Sequence, residues 1–176
     1  MSEAPAPMRY LQGYSAELLT RVRELVEQGR LTQTVQLRHP QAHDVRSDSA
    51  LYAHVAALRS RHMRHAEPLS KVVFDNKMLA GRYAALETLG THSTVARVQG
   101  GRLKAKHEIR IASIFKQAPA PLLNMIVVHE LAHLKVREHD KAFYALCLHM
   151  EPDYHQLEFD TRLWLTALEL EGPGTA

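Results

Sequence analysis

The chain of 176 residues has the length of one ordinary domain with one hydrophobic core. Its net charge of +3 is small and its hydrophobic fraction of 45% is typical of a globular protein. These values exclude a charged, low-complexity or disordered polypeptide. We therefore expect a single domain over residues 1–176, with flexible ends at about 1–14 and 171–176.

No apolar run approaches the roughly 20 residues of a membrane span, and the first residues lack the apolar centre of a signal peptide. Cys147 is the only cysteine, so no intramolecular disulfide can form, and we interpret it as an inert core thiol. Together these features predict a soluble cytoplasmic protein without a membrane partner.

The first half of the chain predicts helices. An apolar stripe at helical spacing predicts a helix over residues 15–29, ended by Gly29. A second helix is expected over 49–65, before Pro68, and a third over 76–89. These helices contain no catalytic motif, so we expect them to have a structural role.

The second half predicts a hairpin and three more helices. Residues 94–98 and 107–114 alternate apolar and polar side chains around Gly100 and Gly101, which predicts two antiparallel strands joined by a turn. The helices are expected over 121–136, 140–150 and 154–170. The fold class is therefore α+β, with several helices packed on a small antiparallel sheet.

The most informative motif is H-E-x-x-H at residues 129–133, directly after an apolar run at 122–128. Residues four apart lie on the same face of a helix, so His129 and His133 would direct two imidazoles to one point. Glu130 would lie beside that point. This arrangement is typical of zinc hydrolases.

A catalytic zinc site needs a third protein ligand and an open position for water. His139 is the favoured ligand, and it requires the helix to end between 135 and 138 and the chain to bend back. Metzincins have a glycine in that bend, where this chain has Val136, so the bend needs another geometry. A carboxylate from a later helix, Glu151 or Glu158, is the alternative third ligand.

Metal-activated water is the chemistry that these residues predict. Three neutral imidazoles leave the charge of the metal intact, which lowers the pKa of a bound water towards about 7. Glu130 would take the proton of that water as general base and return it to the leaving group. Zinc is the expected cofactor, although imidazole sites also accept other transition metals.

Two groups of basic residues could contact an anionic partner. The first comprises Arg59, Arg61 and Arg64, and the second comprises Arg97, Arg102, Lys104, Lys106 and Arg110. Each is most simply a solvated surface. The second group is the better candidate for nucleotide phosphates because it flanks the strands beside the site, and binding of nucleic acid is possible but not favoured.

Several segments of the chain resemble the YgjP-like family of metallopeptidase-type proteins. The resemblance extends over nearly the whole chain and is closest from residue 92 onwards. It is seen in VARVQGG (95–101), LKAK (103–106), IVVHELAHLK (126–135), HDKAFY (139–144), MEPDYH (150–155) and LEFDTRLWL (157–165).

This resemblance implies a zincin-like fold, metal ligands at His129, His133 and His139, and a catalytic Glu130. It leaves the substrate open, because family members are described as peptidase-like and a UTP pyrophosphatase activity, releasing UMP and diphosphate, is also ascribed within the family. We expect a zinc metallohydrolase acting on peptides, with UTP hydrolysis as the alternative. A non-catalytic protein with a structural zinc is the third possibility.

Two further expectations concern the surroundings of the metal. In zincin-like folds an edge strand lies above the metal and pairs with a peptide. The strand with Arg110 and Ser113 is our candidate for it, and the equal alternative is that this strand only packs in the core. Oxyanion or anion binding could come from residues that follow the ligands in the chain, although none is favoured. These are Tyr144, Tyr154, His155 and Arg162.

Overall fold

The computed structural model of the chain describes residues 6–79, 90–99 and 102–172. Five of the predicted helices are confirmed within a few residues, as α1, α3, α4, α5 and α6. The α-helices of the described part are α1 (Ala16–Glu27), α2 (Leu31–Arg38), α3 (Asp48–His62), α4 (Ala120–Ala132), α5 (Lys141–Met150) and α6 (Tyr154–Glu171). Of the helix expected over 76–89, only a 3-10 turn at Lys77–Leu79 is described, and residues 80–89 lie outside the described part.

Three helices begin at side chains that satisfy their free backbone amides. Ser15, Ser47 and Asp140 each accept a hydrogen bond from the backbone three residues later. Such caps contribute about 1 kcal/mol each. The start of α4 is fixed differently, because Pro119 precedes it and the Gln41 carbonyl accepts from the Ala120 amide at 2.8 Å.

The sheet is mixed rather than antiparallel. Strand β2 (Gly90–Gln99) pairs antiparallel with β3 (Arg102–Ala112), as the sequence predicted. Strand β1 (Leu69–Asp75), which the sequence analysis missed, pairs parallel with the other side of β3. The order β1-β3-β2 places β3 in the centre. The segment from Arg110 is therefore not an edge strand, and Ser113 lies in the 3-10 turn that follows.

The missed elements have weak or misleading sequence patterns. Strand β1 is short and begins directly after Pro68, although its Val72-Val73-Phe74 run is typical of strands. Helix α2 is mostly polar, and tertiary contacts hold it: Arg38 and His39 both bond the buried carboxylate of Asp160 on α6. A contact between residues that are far apart in sequence cannot be read from local periodicity.

Helix α4 lies in the middle of the core. Every residue from Met125 to Ala132 is buried. Ile109 and Ile111 of β3 are fully buried in the same core, and α3, α5 and α6 also pack against α4. A helix that is apolar all round is stable only when other elements cover it on all sides. The apolar run of α4 therefore places the first part of the H-E-x-x-H motif in the core as well.

The described start of the chain packs against the core. The sequence predicted a flexible start up to about residue 14, whereas Met8, Tyr10 and Leu11 are buried and their 3-10 helix packs against α6. Cys147 is a buried free thiol, as expected. None of the described helices is long and apolar enough to cross a membrane.

Strand β3 should be sensitive to loss of core volume. Ile111 is 0% exposed and Leu37 on α2 is 75% exposed. We expect Ile111→Ala to lower the free energy of unfolding by about 2–5 kcal/mol, because it removes buried methyl groups and leaves a cavity. Leu37→Ala should change it by about 0.5 kcal/mol or less. Urea denaturation measures both, and equal effects would contradict the assignment of β3 to the core.

Candidate metal centre

The end of α4 brings the first two histidines together. His129 and Glu130 lie in the last helical turn, and His133 is the residue that caps the helix. After His133 the turn is tighter than in an α-helix, because two of its hydrogen bonds join residues three apart and not four. The amide of Leu134 donates to the carbonyl of Leu131, and the amide of Lys135 donates to the carbonyl of Ala132. Among the described residues only glycines have positive φ. The bend at Val136 therefore forms without a left-handed residue, as the sequence predicted.

The third histidine returns to the same point. The Nε2 atom of His129 lies 3.1 Å from Nε2 of His139 and 3.3 Å from Nε2 of His133. The ligand atoms of all three lie within 4.8 Å of one another. A tetrahedral zinc with Zn–N bonds of about 2.0–2.1 Å separates its nitrogens by about 3.3 Å. The three histidines are therefore placed so that they could hold a metal ion.

The other ring nitrogens of two histidines show which atoms face the centre. His133 Nδ1 lies 3.0 Å from the carbonyl oxygen of Val136. A carbonyl only accepts, so Nδ1 carries the proton and a neutral ring leaves a free lone pair on Nε2. His129 Nδ1 lies 2.7 Å from the hydroxyl of Tyr154. Such bonds to the outer nitrogen are a usual feature of histidines that bind metals.

Phe143 forms one wall of the centre. Its ring is fully buried, and its centroid lies 5.0, 4.6 and 4.7 Å from those of His129, His133 and His139. Asp140 starts α5 by accepting from the Phe143 amide, so the cap fixes both the aromatic wall and the position of the preceding His139. The sequence does not predict this contact, because the contact depends on how α5 lies against α4.

Glu130 is the most unusual residue of the centre. It is 1% exposed, and its Oε2 has no hydrogen-bond partner among the described residues. Burial raises the pKa of its carboxyl to about 8. Burial, together with the charges of His133, His139 and Arg162, lowers the pKa of His129 to about 3. An unpaired buried carboxylate is costly, and a cation held by neutral imidazoles beside it would offset that cost.

The alternative third ligands are engaged elsewhere. Glu151 accepts a hydrogen bond from Asn124 at 2.9 Å, and Glu158 lies 3.3 Å from Arg162. Neither belongs to a potential metal-binding group, and within the described residues the histidine group contains no fourth donor. Three protein ligands with one open position are typical of catalytic zinc, whereas structural zinc has four.

The four residues considered for oxyanion or anion binding have other contacts. Tyr154 is fully buried behind His129 and not beside its Nε2. Arg162 donates to the Tyr10 carbonyl at 2.9 Å and to Glu158. Tyr144 and His155 stack on each other at 5.3 Å. Nothing in these contacts assigns an oxyanion role.

The described basic residues of the predicted anion surfaces are partly neutralised. Arg110 lies 3.4 Å from Asp75 and 3.7 Å from Glu108, and Arg59 donates to the Ala66 carbonyl. Lys106 and Arg110 are half-buried, and the alternate residues of β3 between them face the core. The side chains of Arg97, Arg102 and Lys104 lie outside the described part.

A cavity of about 680 Å³ lies away from the histidines. Pro119, at the start of α4, lines it together with Trp164 of α6. The histidines lie at the other end of α4, about 20 Å along a helix of this length. This cavity is therefore not the cleft of the metal centre.

A buried helix with H-E-x-x-H and a third histidine from the following bend, which together could hold a metal ion, are the features of a metal-dependent hydrolase of the metallopeptidase type. The family described as "YgjP-like, metallopeptidase domain" matches residues 94–162. A UTP pyrophosphatase of Escherichia coli (strain K12) is 54% identical over 163 residues, covering 93% of this chain and 95% of the relative. The chain belongs to the YgjP-like family. No solved structure matches it.

The buried Glu130 predicts a pH-dependent stability of the metal-free protein. A carboxyl with a raised folded pKa loses stability as pH rises from its unfolded value of 4.5 through about 8. We expect Glu130→Gln to raise Tm above wild type at pH 8 and the difference to shrink towards pH 4.5.

Thermal melts in the presence of a chelator measure this difference. Glu24→Gln, at an exposed position of α1, is the control and should leave Tm nearly unchanged at both pH values. A gap between Glu130→Gln and wild type that does not depend on pH would contradict the prediction.

Proposed function

We propose that this protein is a zinc-dependent hydrolase in which His129, His133 and His139 hold the metal and Glu130 is the general base. The observation that supports this proposal best is the convergence of the Nε2 atoms of three histidines. The next residue after His129 is the buried Glu130, whose Oε2 has no hydrogen-bond partner among the described residues. A bound metal would supply a water of lowered pKa and polarise the bond under attack. Glu130 would take the proton from the water and deliver it to the leaving group.

We further propose that the substrate is UTP, which water would cleave between the α- and β-phosphates to UMP and diphosphate. The support is the relative named UTP pyrophosphatase, which is 54% identical and aligned over nearly its whole length. The proton of the attacking water passes to Glu130, and diphosphate leaves with the bridging oxygen.

The charge of the bend is compatible with a triphosphate. Lys135 and Arg137 lie between the second and third histidines, and both are exposed. Neither has an ion-pair partner among the described residues. Glu138 and Asp140 balance the charge of these two cations over the bend as a whole, so the support comes from the two side chains themselves, which could contact the phosphates within a few residues of the proposed metal ligands.

Glu130 and His133 should have separable roles. We expect Glu130→Gln to keep stoichiometric zinc but to lose at least about 100-fold in release of diphosphate from UTP, since general-base catalysis contributes about 10²–10⁴-fold. His133→Ala should lose both zinc and activity. Metal analysis and a diphosphate assay with Zn²⁺, Mn²⁺ or Mg²⁺ measure the two effects.

Glu138→Gln is a matched control for this experiment, since Glu138 is an exposed carboxylate in the same bend. It should keep both zinc and activity. Wild-type activity in Glu130→Gln would rule out the proposed base. Activity without bound metal would rule out the proposed centre.

The exposed cations of the bend should affect substrate binding rather than turnover. An exposed ion pair is worth about 0.2–1 kcal/mol, so we expect Lys135→Ala with Arg137→Ala to raise KM for UTP by about 2- to 30-fold, with kcat nearly unchanged. The effect should shrink at high salt.

Arg21→Ala with Arg23→Ala on α1 removes the same charge elsewhere and should leave KM unchanged. An equal rise in KM in both double variants would show a general charge effect, which would contradict a phosphate contact in the bend.

Peptide hydrolysis is the second candidate function. The matching family is described as a metallopeptidase domain, and β2 packs against α4 while pairing, within the described residues, only with β3. An extended peptide could add to the other edge of β2 by backbone hydrogen bonds. Incubation of zinc-loaded protein with a peptide library tests this, with Glu130→Gln as control. Cleavage of peptides without turnover of UTP would reassign the substrate but keep the centre.

A further inference from the structure

Behind His129 lies a buried polar group that the proposed reaction does not use. The Tyr154 hydroxyl lies 2.7 Å from His129 Nδ1, on the opposite side of the ring from Nε2. The same hydroxyl also interacts with the thiol of Cys147. Tyr154 and Cys147 are both 0% exposed, so water does not compete for the hydrogen bond to His129 or for the contact with the thiol.

The proton positions follow from the needs of a metal ligand. If His129 Nε2 presents a lone pair to the centre, a neutral ring must carry its proton on Nδ1. That proton is donated to the Tyr154 oxygen. The proton of the hydroxyl then needs a different acceptor, and the Cys147 sulfur is the neighbour that can accept it.

We propose that Tyr154 and Cys147 are positioning residues of the metal centre. The Nδ1–H group of His129 donates to the Tyr154 hydroxyl oxygen, and the Tyr154 hydroxyl donates to the Cys147 sulfur. The hydrogen-bonded chain holds the imidazole in the tautomer that leaves Nε2 free, and it fixes the rotation of the ring. This inference rests on the proposed metal site, and it gives the single cysteine a role besides core packing. Neither residue touches the substrate.

The two residues should contribute unequally. Without the Tyr154 hydroxyl, the Nδ1–H group of His129 has no acceptor in a buried site, and losses of such outer partners cost about 10- to 100-fold in metal affinity. Without the Cys147 sulfur, the hydroxyl stays but tends to donate to Nδ1, which favours the tautomer with a proton on Nε2. A thiol is a weak acceptor, so this second effect should be smaller.

The test is zinc affinity measured by competition with a chromogenic chelator, with thermal melts of the metal-free proteins alongside. We expect Tyr154→Phe to weaken zinc binding about 10- to 100-fold. The Tm of the metal-free protein should fall by only a few degrees, because the ring is kept and one buried hydrogen bond is lost. Cys147→Ala should weaken binding by a smaller factor. Cys147→Ser, which keeps an acceptor, should bind nearly as tightly as wild type.

Tyr52→Phe is the matched control. Tyr52 lies on α3, and its hydroxyl donates to the carbonyl of Leu69 at 3.2 Å. Removal of this hydroxyl should leave zinc affinity unchanged. A second readout is the Nδ1–H proton of His129 in the zinc-loaded, ¹⁵N-histidine-labelled protein. It should be protected and shifted downfield in wild type, and should exchange rapidly in Tyr154→Phe.

The outcomes separate this inference from the proposed function. Wild-type zinc affinity in Tyr154→Phe, or a Tm loss without any affinity loss, would overturn the role of Tyr154. Equal weakening by Cys147→Ala and Cys147→Ser would overturn the role of Cys147. If Tyr154→Phe does not fold, the two cysteine variants decide. Failure of the wild-type protein to bind zinc would overturn both the inference and the proposed centre.

Discussion

The burial of α4 on nearly all sides is the constraint on which the rest of the structure depends. The helix holds His129 and Glu130 in its last turn and is capped by His133, and apolar neighbours exclude water from His129 and Glu130. In such surroundings a polar side chain must find a partner or lose free energy. The bend after His133 and the start of α6 supply such partners, through the Val136 carbonyl and the Tyr154 hydroxyl.

The histidines and the glutamate satisfy this constraint differently. The outer nitrogens of His129 and His133 bond Tyr154 and the Val136 carbonyl, while Glu130 keeps an oxygen without a partner among the described residues. The fold thus brings three imidazoles together in the part of the chain that also holds the buried Glu130. A dication is the simplest partner for that set, and it is also the chemical basis of the proposed hydrolysis.

Local sequence patterns predicted more of the helices than of the sheet. The apolar stripes of α1 and α3 and the apolar run of α4 are patterns among residues close together in the sequence, and the structure confirms these helices. Strand β1 was missed, and of the two alternatives for β3 the edge strand was wrong and the core strand right, because strand order depends on pairing between distant segments. Helix α2 was missed for a similar reason, since the buried Asp160 that holds it lies on α6.

For the candidate centre, the sequence by itself determined the motif and therefore the placing of His129, Glu130 and His133, because spacing on a helix is fixed by its 3.6-residue turn. Only the tertiary structure decided that His139 completes the group while Glu151 and Glu158 bond elsewhere. It likewise decided that Tyr154 lies behind a histidine and not in the cleft. Loop direction and helix packing set these distances, and neither is encoded by the spacing of a few residues.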